Sequence, residues 1–132
     1  MKKSITLLLI DDDEDDRNLF AESAKEVDET IECILLPGCP QALAYLRDDS
    51  QVMPDFIFLD LRMPGHSGKR CLDEISKEGK LRHIPVIIYT TSTDEEDAEE
   101  LKKQGASHFV SKPTNPEEIY YMISMIINEK WK

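Results

Sequence analysis

DFIFLDLRMPG, running from Asp55 to Gly65, carries the strongest structural signal in the chain. Phe56 to Leu59 form a continuous apolar run with no polar alternation, the pattern of a short strand buried on both faces. Asp60 follows at once, and Pro64-Gly65 mark a loop. A carboxylate at the carboxyl end of a buried strand stands where open α/β sheets gather ligands and chemistry. The rest of the chain is therefore searched for residues that converge on Asp60.

Upstream, Ile5 to Ile10 reads as a first strand and runs into six consecutive acidic residues, Asp11 to Asp16. Phe20, Ala24 and Val27 recur at helical spacing over Glu14 to Val27. Ile31 to Leu36 is a second strand closed by Pro37-Gly38, and Pro40 opens a short helix through Leu43 and Leu46. Downstream of Asp60, Ser67 to Lys77 presents Cys71, Leu72 and Ile75 on one side, a helix ending near Gly79. Pro85 to Tyr89 is a fourth strand leading into Thr90. Thr93 and Glu96 have capping-box spacing and open a lightly packed helix, with Ala98 and Leu101 as core residues and Gly105 as its stop. His108 to Ser111 is a fifth strand, ended by Lys112-Pro113. Asn115, Pro116 and two glutamates begin a last helix with an apolar stripe of Ile119, Met122, Ile123, Ile126 and Ile127. Five strand-helix alternations predict an α/β fold, a doubly wound five-stranded parallel sheet covered on both faces.

The 132 residues, 40% hydrophobic and 33% charged, suit one soluble domain with no linker or repeat. A net charge of -11, from 27 acidic against 16 basic residues, repels a polyphosphate backbone and argues against direct nucleic-acid binding. Lys130 and Lys132, flanking Trp131, are too few to make a basic face. No apolar run spans a bilayer and no signal peptide opens the chain, so no membrane association and a cytoplasmic location are expected. Cys33, Cys39 and Cys71 lack CxxC spacing and are expected to be reduced structural thiols, Cys71 as helix packing.

In a parallel sheet all strand carboxyl ends share one edge. Strand one delivers Asp11 and Asp12 there, strand three Asp60, strand four Thr90 and strand five Lys112. Crowded carboxylates repel one another, and a hard divalent cation such as Mg²⁺, which prefers oxygen ligands, relieves that repulsion. Thr90 adds a hydroxyl and Lys112 a point charge suited to a phosphoryl oxygen. The set suits phosphoryl transfer onto Asp60. Asp13 to Asp16 read as a solvated helix start favoured by the macrodipole.

LLLIDDDEDD, FLDLRMPGHSG, PVIIYTT and FVSKP together resemble the CheY-like receiver domain of bacterial two-component response regulators, over nearly the whole chain. The resemblance implies strand order 2-1-3-4-5 and a single receiver domain, residues 1–132, with no output domain. It makes Asp60 the phosphoacceptor, Asp11 and Asp12 the acidic pair that binds Mg²⁺ with Asp60, and the backbone carbonyl of Arg62 a further metal ligand. Thr90 becomes the switch hydroxyl, Lys112 the phosphate-pairing lysine, and Phe109 the switch aromatic. It also implies a cis Lys112-Pro113 peptide. Expected partners are a sensor histidine kinase or histidine phosphotransfer protein, and a downstream protein bound by the helix 4, strand 5 and helix 5 face, with the chain a monomer or a phosphorylation-linked dimer. Catalysis would be limited to its own phosphorylation and dephosphorylation, so it would not be an enzyme in the usual sense. The NEKWK ending resembles stand-alone regulators that serve phytochrome-type kinases. Arg62, Thr91 and Glu14 depart from the residues common at those positions.

The alternative is a phosphorylation-independent adaptor with a vestigial pocket, for which Arg62 leaves room. A flavodoxin-like cofactor binder shares the strand order but needs phosphate donors where this chain has carboxylates. A haloacid-dehalogenase-type phosphatase needs a second Asp at the position of Arg62.

Overall fold

Apolar runs without alternation become the interior of a sheet because helices cover them on both sides. β1 (Thr6–Ile10), β3 (Phe56–Leu59) and β4 (Val86–Thr90) are buried along their whole length. β2 (Glu32–Leu36) and β5 (His108–Ser111) lie at the two edges and are partly exposed. Every pairing is parallel and the order is β2-β1-β3-β4-β5, as expected. These elements belong to a computed structural model that describes residues 4–61, 68–91, 95–113 and 115–128.

The strands alternate with α1 (Glu14–Val27), α2 (Cys39–Arg47), α3 (Gly68–Ser76), α4 (Glu95–Lys103) and α5 (Pro116–Asn128). Because side chains alternate across a strand, the sheet feeds two cores. Leu7, Leu9, Phe58, Ile87 and Tyr89 meet Phe20 of α1 and Ile119 and Ile123 of α5 on one face. Leu8, Ile10, Ile57, Leu59 and Ile88 meet Leu46 of α2, Leu72 of α3 and Leu101 of α4 on the other. Phe20 sets its edge against Phe58 and Tyr89, with ring centroids 5.0 and 5.8 Å away, an arrangement favoured beyond its buried area.

Local chemistry ends the helices where the sequence says it should. Asp13 caps α1, its side chain accepting from the Asp16 N–H at 3.1 Å. Asn115 does the same for α5, accepting from the Glu118 N–H at 2.9 Å. Gly105, with φ +119°, follows α4 in a conformation that suits glycine. Element ends move by only a residue or two from expectation, and β4 reaches Thr90, so that hydroxyl belongs to the strand itself.

Two expectations are corrected. Cys39 and Cys71 are not free thiols: a disulfide joins them, with Cα atoms 5.7 Å apart, and among the described cysteines only Cys33 is free. The topology lays α2 beside α3 on one face and brings together two residues 32 apart in sequence, within the usual reach of a disulfide. No described peptide bond is cis, so Lys112-Pro113 is trans. The two X-Pro isomers differ by only about 1 kcal/mol, so a small local preference decides between them. Arg62, Pro64-Gly65, His66, Ser67, the capping side chains Thr93 and Glu96, the Ala98 side chain and residues 129–132 lie outside the described portion.

Candidate functional site

Asp11, Asp60, Thr90 and Lys112 stand at the same edge of the sheet because parallel pairing aligns the ends of β1, β3, β4 and β5. The backbone ladder carries this alignment one step past the strands. The Asp11 N–H donates to the Leu36 carbonyl at 3.0 Å, the Asp60 N–H to the Ile10 carbonyl at 3.0 Å, and the Lys112 N–H to the Thr90 carbonyl at 2.7 Å. Asp11, Asp60 and Thr90 are buried and Asp12 is exposed.

Three carboxylates converge there. Oxygens of Asp11, Asp12 and Asp60 lie within 4.8 Å of one another. Asp11 Oδ1 accepts from the Asp13 N–H at 3.0 Å, which fixes the rotation of the carboxylate. Arg17 donates to the Asp11 carbonyl at 2.9 Å and anchors the turn between β1 and α1. An all-oxygen set with one exposed member fits a hard divalent cation that keeps part of its water shell. Asp11 Oδ2 supports that fit: it is buried, makes no hydrogen bond and is met by charge alone.

The charge that meets it is Lys112. Its Nζ lies 2.7 Å from Asp11 Oδ2, 2.8 Å from Asp16 Oδ2 and 3.2 Å from Asp60 Oδ2. The ammonium also sits 5.5 Å from the centre of the Tyr89 ring, a cation-π distance. Burial alone would lower the Lys112 pKa, but pairing with Asp11 and Asp16 and the charge of Asp60 outweigh it and leave it above the ordinary lysine value. Burial pushes the Asp11 carboxyl up, against the pull of Lys112.

The structure thus brings Asp11, Asp12, Asp60 and Lys112 together, with Thr90 tied to Lys112 through the backbone. Phe109 is half-buried one strand away, opposite Ile88 in the register and packed on the α2-α3-α4 side. Arg62 lies outside the described residues. Asp16 differs from its reading as a solvated charge. It is the third residue after the N-cap Asp13, and the first turn of α1 carries its side chain onto Lys112. No sequence signal separates it from its acidic neighbours; its distinction comes from the pitch of the helix above the sheet.

Comparison with known proteins places this geometry in a family. The response regulator receiver domain matches residues 7–124. Response regulator Rcp1 of Synechocystis is 29% identical over 124 residues, 91% of this chain and 84% of that protein. PilH of Pseudomonas aeruginosa is 34% identical over 77 residues, 58% of this chain and 64% of that protein. The Mn²⁺-bound form of Rcp1 superposes with TM-score 0.81 at 28% identity, covering 92% of this chain and 91% of that one. A phosphorylated cyanobacterial phytochrome response regulator, RcpA, superposes with TM-score 0.84 at 26% identity, covering 94% and 91%. With five parallel strands in the order β2-β1-β3-β4-β5 and an acidic, lysine-bearing edge, the chain belongs to the response regulator receiver domain family, the CheY-like domains of two-component signalling.

Proposed function

We propose that this chain is a phosphorylation-controlled signalling switch that takes a phosphoryl group on Asp60 from a histidine kinase or histidine phosphotransfer protein and signals by binding another protein. The observation that carries the reading is the buried Asp60 carboxylate, 3.2 Å from a lysine ammonium and grouped with Asp11 and Asp12. One Asp60 oxygen attacks phosphorus, the bond from phosphorus to the donor's leaving atom breaks, and an acyl phosphate forms on Asp60. Lys112 offers N–H donors to the transferred oxygens, and the Thr90 hydroxyl, at the adjoining strand end, supplies another. Asp11, Asp12 and Asp60 would hold Mg²⁺, which offsets negative charge on the phosphoryl oxygens when bound. Turnover is confined to forming and hydrolysing this one aspartyl phosphate.

Thr90 and Phe109 are the residues through which phosphorylation would reach the α4-β5-α5 face. Tyr121 and Met125 of α5 are 62% and 67% exposed, which supports α5 as part of a docking surface for a downstream protein. The likeness to a cyanobacterial phytochrome response regulator supports a phytochrome-type kinase as the donor to try first.

The test is intact mass after incubation with a small acyl-phosphate donor, with and without Mg²⁺. Wild type should gain one phosphoryl group only with Mg²⁺, and Asp60→Asn, still folded, should gain none. No gain by wild type from either the small donor or a histidine phosphotransfer protein would leave the phosphorylation-independent adaptor as the better reading.

A further inference from the structure

An ammonium has three N–H donors, and in this structure Lys112 faces three carboxylates: Asp11 at 2.7 Å, Asp16 at 2.8 Å and Asp60 at 3.2 Å. Two of the donors already go to Asp16 and Asp60 and the charge also holds Asp11, so a phosphoryl group arriving on Asp60 competes with these carboxylates for the ammonium. Asp11 and Asp60 belong to the oxygen cluster that fits a cation, and Asp60 is itself the acceptor. Asp16 has neither duty. It stands on α1, which is fixed between α5 and β2, and its backbone is pinned by the Asp13 cap. Its carboxylate is 38% exposed, so water can solvate it once Lys112 leaves, whereas Asp11 is wholly buried.

Resting on the reading of Asp60 as phosphoacceptor, we infer that Asp16 is a positioning residue that holds the Lys112 ammonium away from the acceptor and thereby slows phosphoryl uptake. The step is a displacement at phosphorus. An Asp60 oxygen bonds to phosphorus, the phosphorus-oxygen bond of a small acyl-phosphate donor breaks, and its carboxylate departs with the electron pair. No proton is transferred. Lys112 helps only to the extent that it has turned from Asp16 towards the incoming oxygens. The lysine-Asp16 contact is broken on the way to the transition state, and its strength appears in the rate.

The experiment measures the Mg²⁺-dependent rate of uptake from a small acyl phosphate by intact mass, at fixed ionic strength. The proteins are wild type, Asp16→Asn, Asp15→Asn, Lys112→Met and the double variant Asp16→Asn/Lys112→Met. Asp16→Asn should react about three- to fivefold faster, the scale of a partly exposed ion pair. Asp15→Asn removes the same charge from the same turn at an exposed position, and should change the rate by less than about half as much on a logarithmic scale. In the Lys112→Met background, adding Asp16→Asn should have no effect, which a general loss of helix structure or of negative charge would not reproduce. Equal acceleration by Asp15→Asn and Asp16→Asn, or an Asp16 effect that survives without Lys112, would overturn the inference and leave the phosphoacceptor reading intact. Absence of uptake by wild type from both small and histidine phosphotransfer donors would overturn both.

Discussion

At Lys112 one cation offsets three carboxylates, and its removal takes from the buried Asp11 and Asp60 the ammonium that lies 2.7 and 3.2 Å from them. Lys112→Met should lower stability by about 3 kcal/mol in the absence of divalent metal, the scale of breaking a buried ion pair. Mg²⁺ should recover more of the loss in the variant than it adds to wild type, read as melting temperature against Mg²⁺ concentration. Cys33 gives a second check. Burial pushes its thiol up to about 11, so at pH 8 its alkylation should be about 100-fold slower in the folded than in the unfolded protein. The folded value stands above the unfolded one, so Cys33 contributes stability below its ordinary pKa, and that contribution fades as pH climbs towards 11. Asp60, Asp11 and Lys112 were legible in the sequence because each follows a strand directly. Asp16 was not, because acidic residues in a first helical turn are ordinarily solvated.

Between elements, the disulfide from α2 to α3 closes a long loop in the unfolded chain. Reduction should lower unfolding free energy by about 4 kcal/mol in the chain-entropy account, measured by denaturant titration with and without reductant. Without reductant, the denatured protein should present one reactive thiol, Cys33; finding three would count against the bridge. The first residue of α3 is equally constrained. A Cβ on Gly68 would lie 2.4 Å from Leu61 Cα and 2.7 Å from the Asp60 carbonyl oxygen, so the helix rests directly on the acceptor's backbone. Gly68→Ala should cost about 2 kcal/mol by overpacking and slow phosphoryl uptake by displacing Asp60, whereas Gly79→Ala meets nothing within 4 Å and should do neither. Strands and helices were legible from periodicity, since each is a local pattern. The bridge was not, because only the order of strands in the sheet makes α2 and α3 neighbours.

Across the whole molecule, a net charge of -11 works against compaction. Melting temperature should therefore rise smoothly with NaCl through screening, and Mg²⁺ at matched ionic strength should add a further increment that grows with the logarithm of its concentration, about 2.7 kcal/mol at a hundred times its dissociation constant. Asp12→Asn, at an exposed position, should remove the second effect and leave the first. The parallel pairing that builds the acidic edge also sets a sequence of events. Asp11 and Asp60 are brought together by β1 and β3, which are adjacent in the sheet. Their neutralising lysine follows β5, an edge strand that pairs only with β4, and it lies 52 residues beyond Asp60 and 96 beyond Asp16. Synthesis runs from the amino terminus, so a nascent chain holds both carboxylates before its own counter-ion exists, and closing that long contact is intrinsically slow. A divalent cation held by those carboxylates would stand in during that interval and act as an assembly aid in a chain that has yet to meet any phosphodonor.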